Sequence, residues 1–119
     1  MIRSESFSVE TSGDITIVRI ADTRFFDTDK YAKLQHDLLA FVTAGKPRRL
    51  LVDFTNVDYC STALINTLLI AQKRTNGWNG QMKLFGLSEI VLEALQSLKL
   101  VNTSLSVCAD EEAARQAVA

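Results

Sequence analysis

Residues 50–54, Leu-Leu-Val-Asp-Phe, form an almost unbroken apolar run between Arg48-Arg49 and Thr55-Asn56. A run this short, without alternation, predicts a strand covered on both faces, as in a parallel sheet packed between helices. The flanking segments agree. Tyr31, Leu34, Leu38, Phe41 and Val42 recur at helical spacing over about 28–44, with Asp27 or Thr28 placed to cap the start and Gly45 and Pro47 to end it. Residues 63–76 are helical in character again, until Gly77 and Gly80.

The remaining elements extend the same alternation. Residues 7–11 and 14–20 read as paired strands around Ser12-Gly13, a hairpin opening the domain. Residues 81–86 predict another short strand. Ser88 caps a helix with Val91, Leu92, Leu95 and Leu98 on one side, and 105–108 is a last short strand. Asp110 caps the final helix, which carries Glu111 and Glu112 in its first turn and Arg115 later, the order the helix dipole favours. The expected fold is α/β in the order ββαβαβαβα, a mostly parallel central sheet opened by the hairpin. Strands separated by helices need crossover connections, hence the parallel sheet.

The 119 residues suit one domain over 1–119, with no repeat or linker, and a chain of this size buries roughly two-thirds of its unfolded surface. Thirteen basic residues against fourteen acidic ones give a formal charge of −1, which argues against a dedicated nucleic-acid binder. Residues 1–8 are too polar for a signal peptide. The most apolar stretch, 63–71, is broken by Asn66 and Thr67, so no membrane insertion and a cytoplasmic location are expected.

The catalytic vocabulary is thin. No Gly-x-Gly-x-x-Gly or P-loop signature follows a strand. His36 lies among the polar positions of the first helix and reads as a surface residue. Cys60 and Cys108 match neither a disulfide framework nor a zinc spacing. Cys60 stands near a helix start, where thiol pKa values can fall, but inert packing is the better reading, with a Cys60 nucleophile the distant alternative. Cys108 reads as core. Asp53 and Asp58, an odd number of positions apart, are expected on opposite faces and so not to cooperate as acid and base. Asp53 inside an apolar strand needs a polar partner, which the loop at 59–62 is expected to supply. Lys46-Arg48-Arg49 and Lys73-Arg74, separated by a strand and a helix, read as solvated faces. The chain is therefore not expected to be an enzyme, and no catalytic residue, metal site or cofactor is expected.

The informative stretch is 50–69: a buried strand, a polar turn with Ser61 and Thr62, then a helix. Either hydroxyl suits the N-cap, and the unpaired N–H groups of a helix start accept a hydroxyl or a phosphate. The helix is more apolar over 63–71 than one buried stripe requires. Coverage by neighbouring helices and a docking face both account for that surplus.

Over residues 7–118 the chain resembles the STAS domain family of anti-sigma factor antagonists (anti-anti-sigma factors). The resemblance rests on the opening hairpin, Asp27 leading into the first helix, VDFTNVDYCSTALINTLL, the later GQMKLFGLSEIVLEALQSLKL, and DEEAARQAV at the end. It implies a STAS-like fold and a bacterial regulator of transcription. The family turn usually reads Asp-Ser-Ser/Ala-Gly-Leu-Gly, its first hydroxyl phosphorylated by an anti-sigma factor that is also a serine kinase. Laid on this chain, Ser61 falls on the Asp, Thr62 on the phosphoacceptor and Ala63 on the small residue. Leu64 and Asn66 fall on the glycines. Thr62 keeps the hydroxyl, with Ser61 the alternative acceptor, and members with Ser-Ser-Ala in this turn are the nearer match. The bulk of Leu64 is expected to obstruct a closely docked partner. The resemblance implies a partner-binding face of Asp27, Asp58, Tyr59, Cys60, Ser61, Thr62, Ala63, Leu64, Asn66, Leu87 and Ser88. The implied partner is an anti-sigma factor or serine kinase-like regulator. The alternative from the same family is an accessory subunit docking on an ABC-transporter ATPase. A homodimer and a small ligand stay open at this point.

Overall fold

The computed structural model describes residues 2–3, 6–23, 26–59 and 61–119. In chain order the elements are β1 (Ile2–Arg3), β2 (Phe7–Ser12), β3 (Ile15–Ile20), α1 (Thr28–Gly45), β4 (Arg49–Asp53), α2 (Thr62–Gly77), β5 (Gln81–Phe85), α3 (Glu89–Ser97), β6 (Ser106–Cys108) and α4 (Glu111–Ala117). The strands form one sheet in the order β1-β2-β3-β4-β5-β6. The first three are antiparallel, and β3 to β6 run parallel. The ββαβαβαβα order is present, preceded by the two-residue β1, which pairs Ile2 with Val9 and Arg3 with Ser8. Two residues carry no periodicity, so β1 leaves no trace in the sequence pattern.

The hairpin turns one residue later than expected. Ser12 pairs with Ile15 across Gly13-Asp14, and Gly13 takes φ +62°, a left-handed conformation that glycine adopts without steric cost. The apparent shift of pattern in β3 reflects burial on both faces. Val18 and Ile20 join a large core with residues of α1, α2 and α3, including Leu38, Leu68 and Leu95. Ile17, with Leu51 and Phe85, faces the other way onto Ala114 and Val118 at α4. The run at 50–54 is doubly covered as its composition requires, Leu50 and Val52 on the large core and Leu51 beneath α4.

Each helix starts on a side-chain cap: Asp27 for α1, Ser61 for α2, Ser88 for α3 and Asp110 for α4. The surplus apolar surface of α2 is largely used inside the domain. Leu64, Ile65, Leu68 and Ala71 are buried, Leu69 packs against them, and α1 lies along the helix. Two expectations are corrected. Leu98 is exposed, because α3 ends at Ser97 and the chain turns before the next apolar position can face the core. Cys108 is half-buried at the edge strand β6, which has a neighbour on one side only.

Asp53 also finds other partners than the loop at 59–62. It lies opposite Arg19 in the β3–β4 register. The Arg19 guanidinium donates to Asp53 Oδ2 (2.8 Å), to Glu10 Oε2 (2.7 Å) and to Glu111 Oε1 (3.1 Å). The Thr55 N–H donates to Asp53 Oδ1 at 2.8 Å, and the Thr55 hydroxyl binds the same oxygen. Glu111 also pairs with Arg115 at 2.9 Å, and Arg115 reaches the Ser12 hydroxyl at 3.1 Å. Burial works against ionisation of Asp53, but the two Thr55 bonds and Arg19 outweigh it and hold the carboxyl below its ordinary value. Arg115 and Arg19 likewise lower Glu111 against its partial burial.

Asp53→Asn keeps the side-chain shape and removes the charge, so the Arg19 guanidinium loses its most buried acceptor. We expect a loss of about 1–3 kcal/mol at neutral pH, read as a lower urea midpoint. Because the folded Asp53 carboxyl lies below its unfolded value, its contribution is full above that value, about 3.9. It fades as pH falls through the depressed folded value. The gap between wild type and variant should therefore close on acidification; a gap unchanged by pH contradicts this account.

Candidate functional site

All four helices begin where a parallel strand ends, so their N-termini gather at the carboxyl edge of the sheet. In open α/β sheets this edge is where binding crevices form. The turn from β4 to α2 lies on it and is held from three sides. Phe54 leaves the strand but its N–H still donates to the Phe85 carbonyl (2.9 Å), and the Val57 N–H closes a turn onto the Phe54 carbonyl (2.9 Å). Val57 and Phe54 are fully buried. The buried Thr23 hydroxyl donates to the Tyr59 carbonyl at 3.4 Å, tying the loop before α1 to the turn.

The turn is thus anchored by residues pointing inward while its tip points out. Tyr59 is 64% exposed, among the most exposed large apolar side chains of the described residues. Asp58, Thr62, Ala63 and Asn66 are exposed beside it. Asp58 sits past the strand, in the turn, so Asp53 and Asp58 do not share the strand that the expectation of opposite faces assumed.

The choice between the two hydroxyls is resolved by geometry. Ser61 Oγ accepts the Leu64 N–H at 3.1 Å, and the helical ladder opens with Ile65 N–H to the Ser61 carbonyl at 3.0 Å. Ser61 is the cap, which leaves Thr62 exposed at the first helical position. The Thr62 and Ala63 N–H groups precede the ladder, in the orphan part of the helix start.

Leu64 is 1% exposed and belongs to the core, so it neither obstructs a partner nor offers it a contact. Its side chain projects inward because it shares the buried stripe of α2 with Leu68 and Ala71. Cys60 lies outside the described residues. Asp27 is exposed on the same edge, its Oδ1 accepting the Lys30 N–H at 2.9 Å. Leu87 and Ser88 follow β5: Ser88 Oγ accepts the Val91 N–H at 3.3 Å, and Leu87 is half-buried. Leu87 also borders a shallow groove of about 360 Å³ with Leu92, Val101, Val107 and Cys108.

The strand expected over 81–86 ends on Gly86, whereas β5 stops at Phe85 and Gly86 takes a conformation that the sequence pattern does not anticipate. It holds φ +75°, and a Cβ there would lie 2.7 Å from Thr55 Oγ1 and 3.4 Å from Asp53 Oδ1. Only glycine lets the 86–88 loop approach the Asp53–Thr55 lock this closely. Its signal, one glycine directly after a strand, is too common to single out. His36 is exposed on α1, away from the helix starts.

A mixed-sheet α/β domain opened by a hairpin, with a hydroxyl-bearing helix start exposed at the carboxyl edge, is the class these features define. The STAS domain family model matches residues 6–114, and the chain belongs to that family. The fold is similar to a STAS domain anti-sigma-factor antagonist protein from Planctomyces limnophilus, with a TM-score of 0.81, 18% identity, and 94% of this chain and 97% of that one covered. It is also similar to an anti-sigma factor antagonist from Mycobacterium paratuberculosis, with a TM-score of 0.79, 16% identity, and coverage of 94% and 92%. The Bacillus cell fate determinant SpoIIAA in its phosphorylated form matches with a TM-score of 0.68, 13% identity, and coverage of 93% and 98%. No curated protein matches the chain in sequence. Among the described residues, no helix is long and apolar enough to cross a membrane.

Two substitutions separate the roles in this turn. Ser61→Ala removes the cap and should cost about 1 kcal/mol, while Thr62→Ala, at an exposed first-turn position, should change stability by less than about 0.5 kcal/mol. Equal losses in thermal melts would overturn this division. Gly86→Ala should cost more than Ser61→Ala, since it adds a clash to an unfavourable φ.

Proposed function

We propose that the chain is a non-enzymatic regulator of the anti-sigma factor antagonist kind. It binds a protein partner through the 58–62 turn, the exposed start of α2 and the 86–88 loop. The observation that carries this reading is the pairing of a core-anchored turn with an outward-facing tip, Tyr59, Thr62, Ala63 and Asn66. A preformed surface of this kind loses little conformational entropy when a partner docks. The fitting partner is an anti-sigma factor or a related serine kinase-like regulator.

Thr62 is the proposed switch. Phosphorylation adds about −1.5 to −2 charges at neutral pH. The fold has room for that charge: Thr62 is exposed and not the cap, and orphan N–H groups of a helix start favour an anion. SpoIIAA, of similar fold, is known in a phosphorylated form. A partner fitted to the neutral surface meets an unpaired charge in its interface, which costs several kcal/mol when desolvated. The switch therefore acts on the interface and leaves the fold standing.

The deciding experiment is purification of the tagged protein from its own cells, with mass spectrometry of bait and partners. Recovery of an anti-sigma kinase with phosphate on Thr62 is the expected result. Recovery of a transporter ATPase with an unmodified bait would overturn the phosphorylation switch and favour the accessory-subunit role. With the partner in hand, Thr62→Asp should weaken binding at least tenfold at an unchanged melting temperature, while Thr62→Ala binds as wild type. Equal binding by both variants would remove Thr62 from the switch.

A further inference from the structure

The basic residues that look scattered in the sequence form one surface. The Arg74 guanidinium donates to the Thr43 hydroxyl in the last turn of α1 (2.9 Å), and the Trp78 indole N–H donates to the Pro47 carbonyl (3.0 Å). The Gln81 N–H donates to the Arg48 carbonyl (2.7 Å). These bonds bring the end of α2 and the start of β5 against the chain at 43–48, so Lys46, Arg48, Arg49 and Arg74 share the amino edge of the parallel strands. Arg48 and Arg49, with Asn79, Gln81 and Asp14, line a cleft of about 530 Å³ there. Asp14 answers one of these charges, pairing with Arg49 at 2.9 Å while itself 83% exposed.

The opposite edge carries the reverse charge. Asp27, Asp29, Glu89, Asp110 and Glu112 are exposed at the starts of α1, α3 and α4. Among the described residues, Lys30 is the cation in the first turns of the four helices. Acidic residues at helix starts are a local response to the helix dipole. Because every helix here starts at the same edge, those local choices sum to a molecular dipole in a chain whose net charge is only −1.

We propose that the basic amino edge, centred on the Arg48-Arg49 cleft, is a docking surface for the acidic carboxyl edge of a second copy of this chain. Such a contact joins two different surfaces head to tail, so it adds copies in a line and does not close as a two-fold dimer. It stands independently of the partner proposed above, although it covers the same edge as Thr62. The attraction is between exposed charges, so it depends on ionic strength: the screening length is about 30 Å at 0.01 M and about 8 Å at 0.15 M.

Sedimentation equilibrium of the full chain tests this directly. At low ionic strength the weight-average mass should rise with concentration above the monomer's 13.2 kDa, and it should return to that value as salt is added. Arg48→Glu with Arg49→Glu should abolish the rise, and so should Asp29→Lys with Glu89→Lys. Mixing the two double variants should restore it, since each reversed edge then faces an opposite charge, and each variant alone should melt cooperatively as the wild type does. A mass fixed at the monomer value at low salt overturns the proposal. So does association that survives salt and both reversals, or that is lost only with the arginine pair.

Discussion

One guanidinium ties the opening hairpin, the end of β4 and the start of α4 together. Arg19 on β3 bonds carboxylates from β2, β4 and α4, and each of those bonds fixes something different. Glu111 fixes the start of α4 over Ile17 and Leu51, on the face that α1, α2 and α3 leave uncovered. Asp53 fixes the end of β4, and through Thr55 it fixes the first residues of the following turn. Gly86 then lets the loop after β5 close onto that turn. The candidate surface at 58–62 and 86–88 is therefore positioned by a polar lock two side chains deep beneath it. Such a lock is directional where apolar packing is not.

The same topology explains why one edge gathers so much chemistry. A parallel strand must be followed by a helix that returns along the sheet, so helix starts accumulate at the carboxyl edge and helix ends at the amino edge. Capping residues, orphan N–H groups and dipole-compensating carboxylates follow the helix starts. Cations follow the helix ends and strand beginnings. The edge that bears Thr62 is thus acidic for reasons of local helix stability. An acidic field at this edge favours the approach of a basic surface.

Much of this was legible in residue order because it is local. The caps Asp27, Ser88 and Asp110 stand at the positions their helices require, and the run at 50–54 reads as a doubly covered strand because no alternation interrupts it. What escaped is non-local. Arg19 meets its partners 9, 34 and 92 positions away, and no period or spacing connects them. Asp53 announced that it needed a partner, but the partner lay on the neighbouring strand, where only the β3–β4 register could place it. The basic cluster at 46–49 and Arg74 are visible singly in the sequence, while their meeting depends on how α2 returns to the start of β5. Leu64 was misread for a related reason. Alignment to a glycine in the family turn suggested a residue at the surface, whereas the helical period of α2 turns that position into the core.

The division between Ser61 and Thr62 keeps the capping hydroxyl of α2 apart from the exposed hydroxyl beside it. If a single hydroxyl both capped α2 and received a phosphate, modification would change the first turn and the surface together, and the two states would differ in stability as well as in binding. Here the cap is one residue earlier, with its oxygen on the Leu64 N–H. Thr62 is left with an exposed side chain on an already formed turn of helix. Leu64 seals the helix start against the core. A change to the Thr62 side chain alters the exposed surface and leaves the Ser61 cap in place.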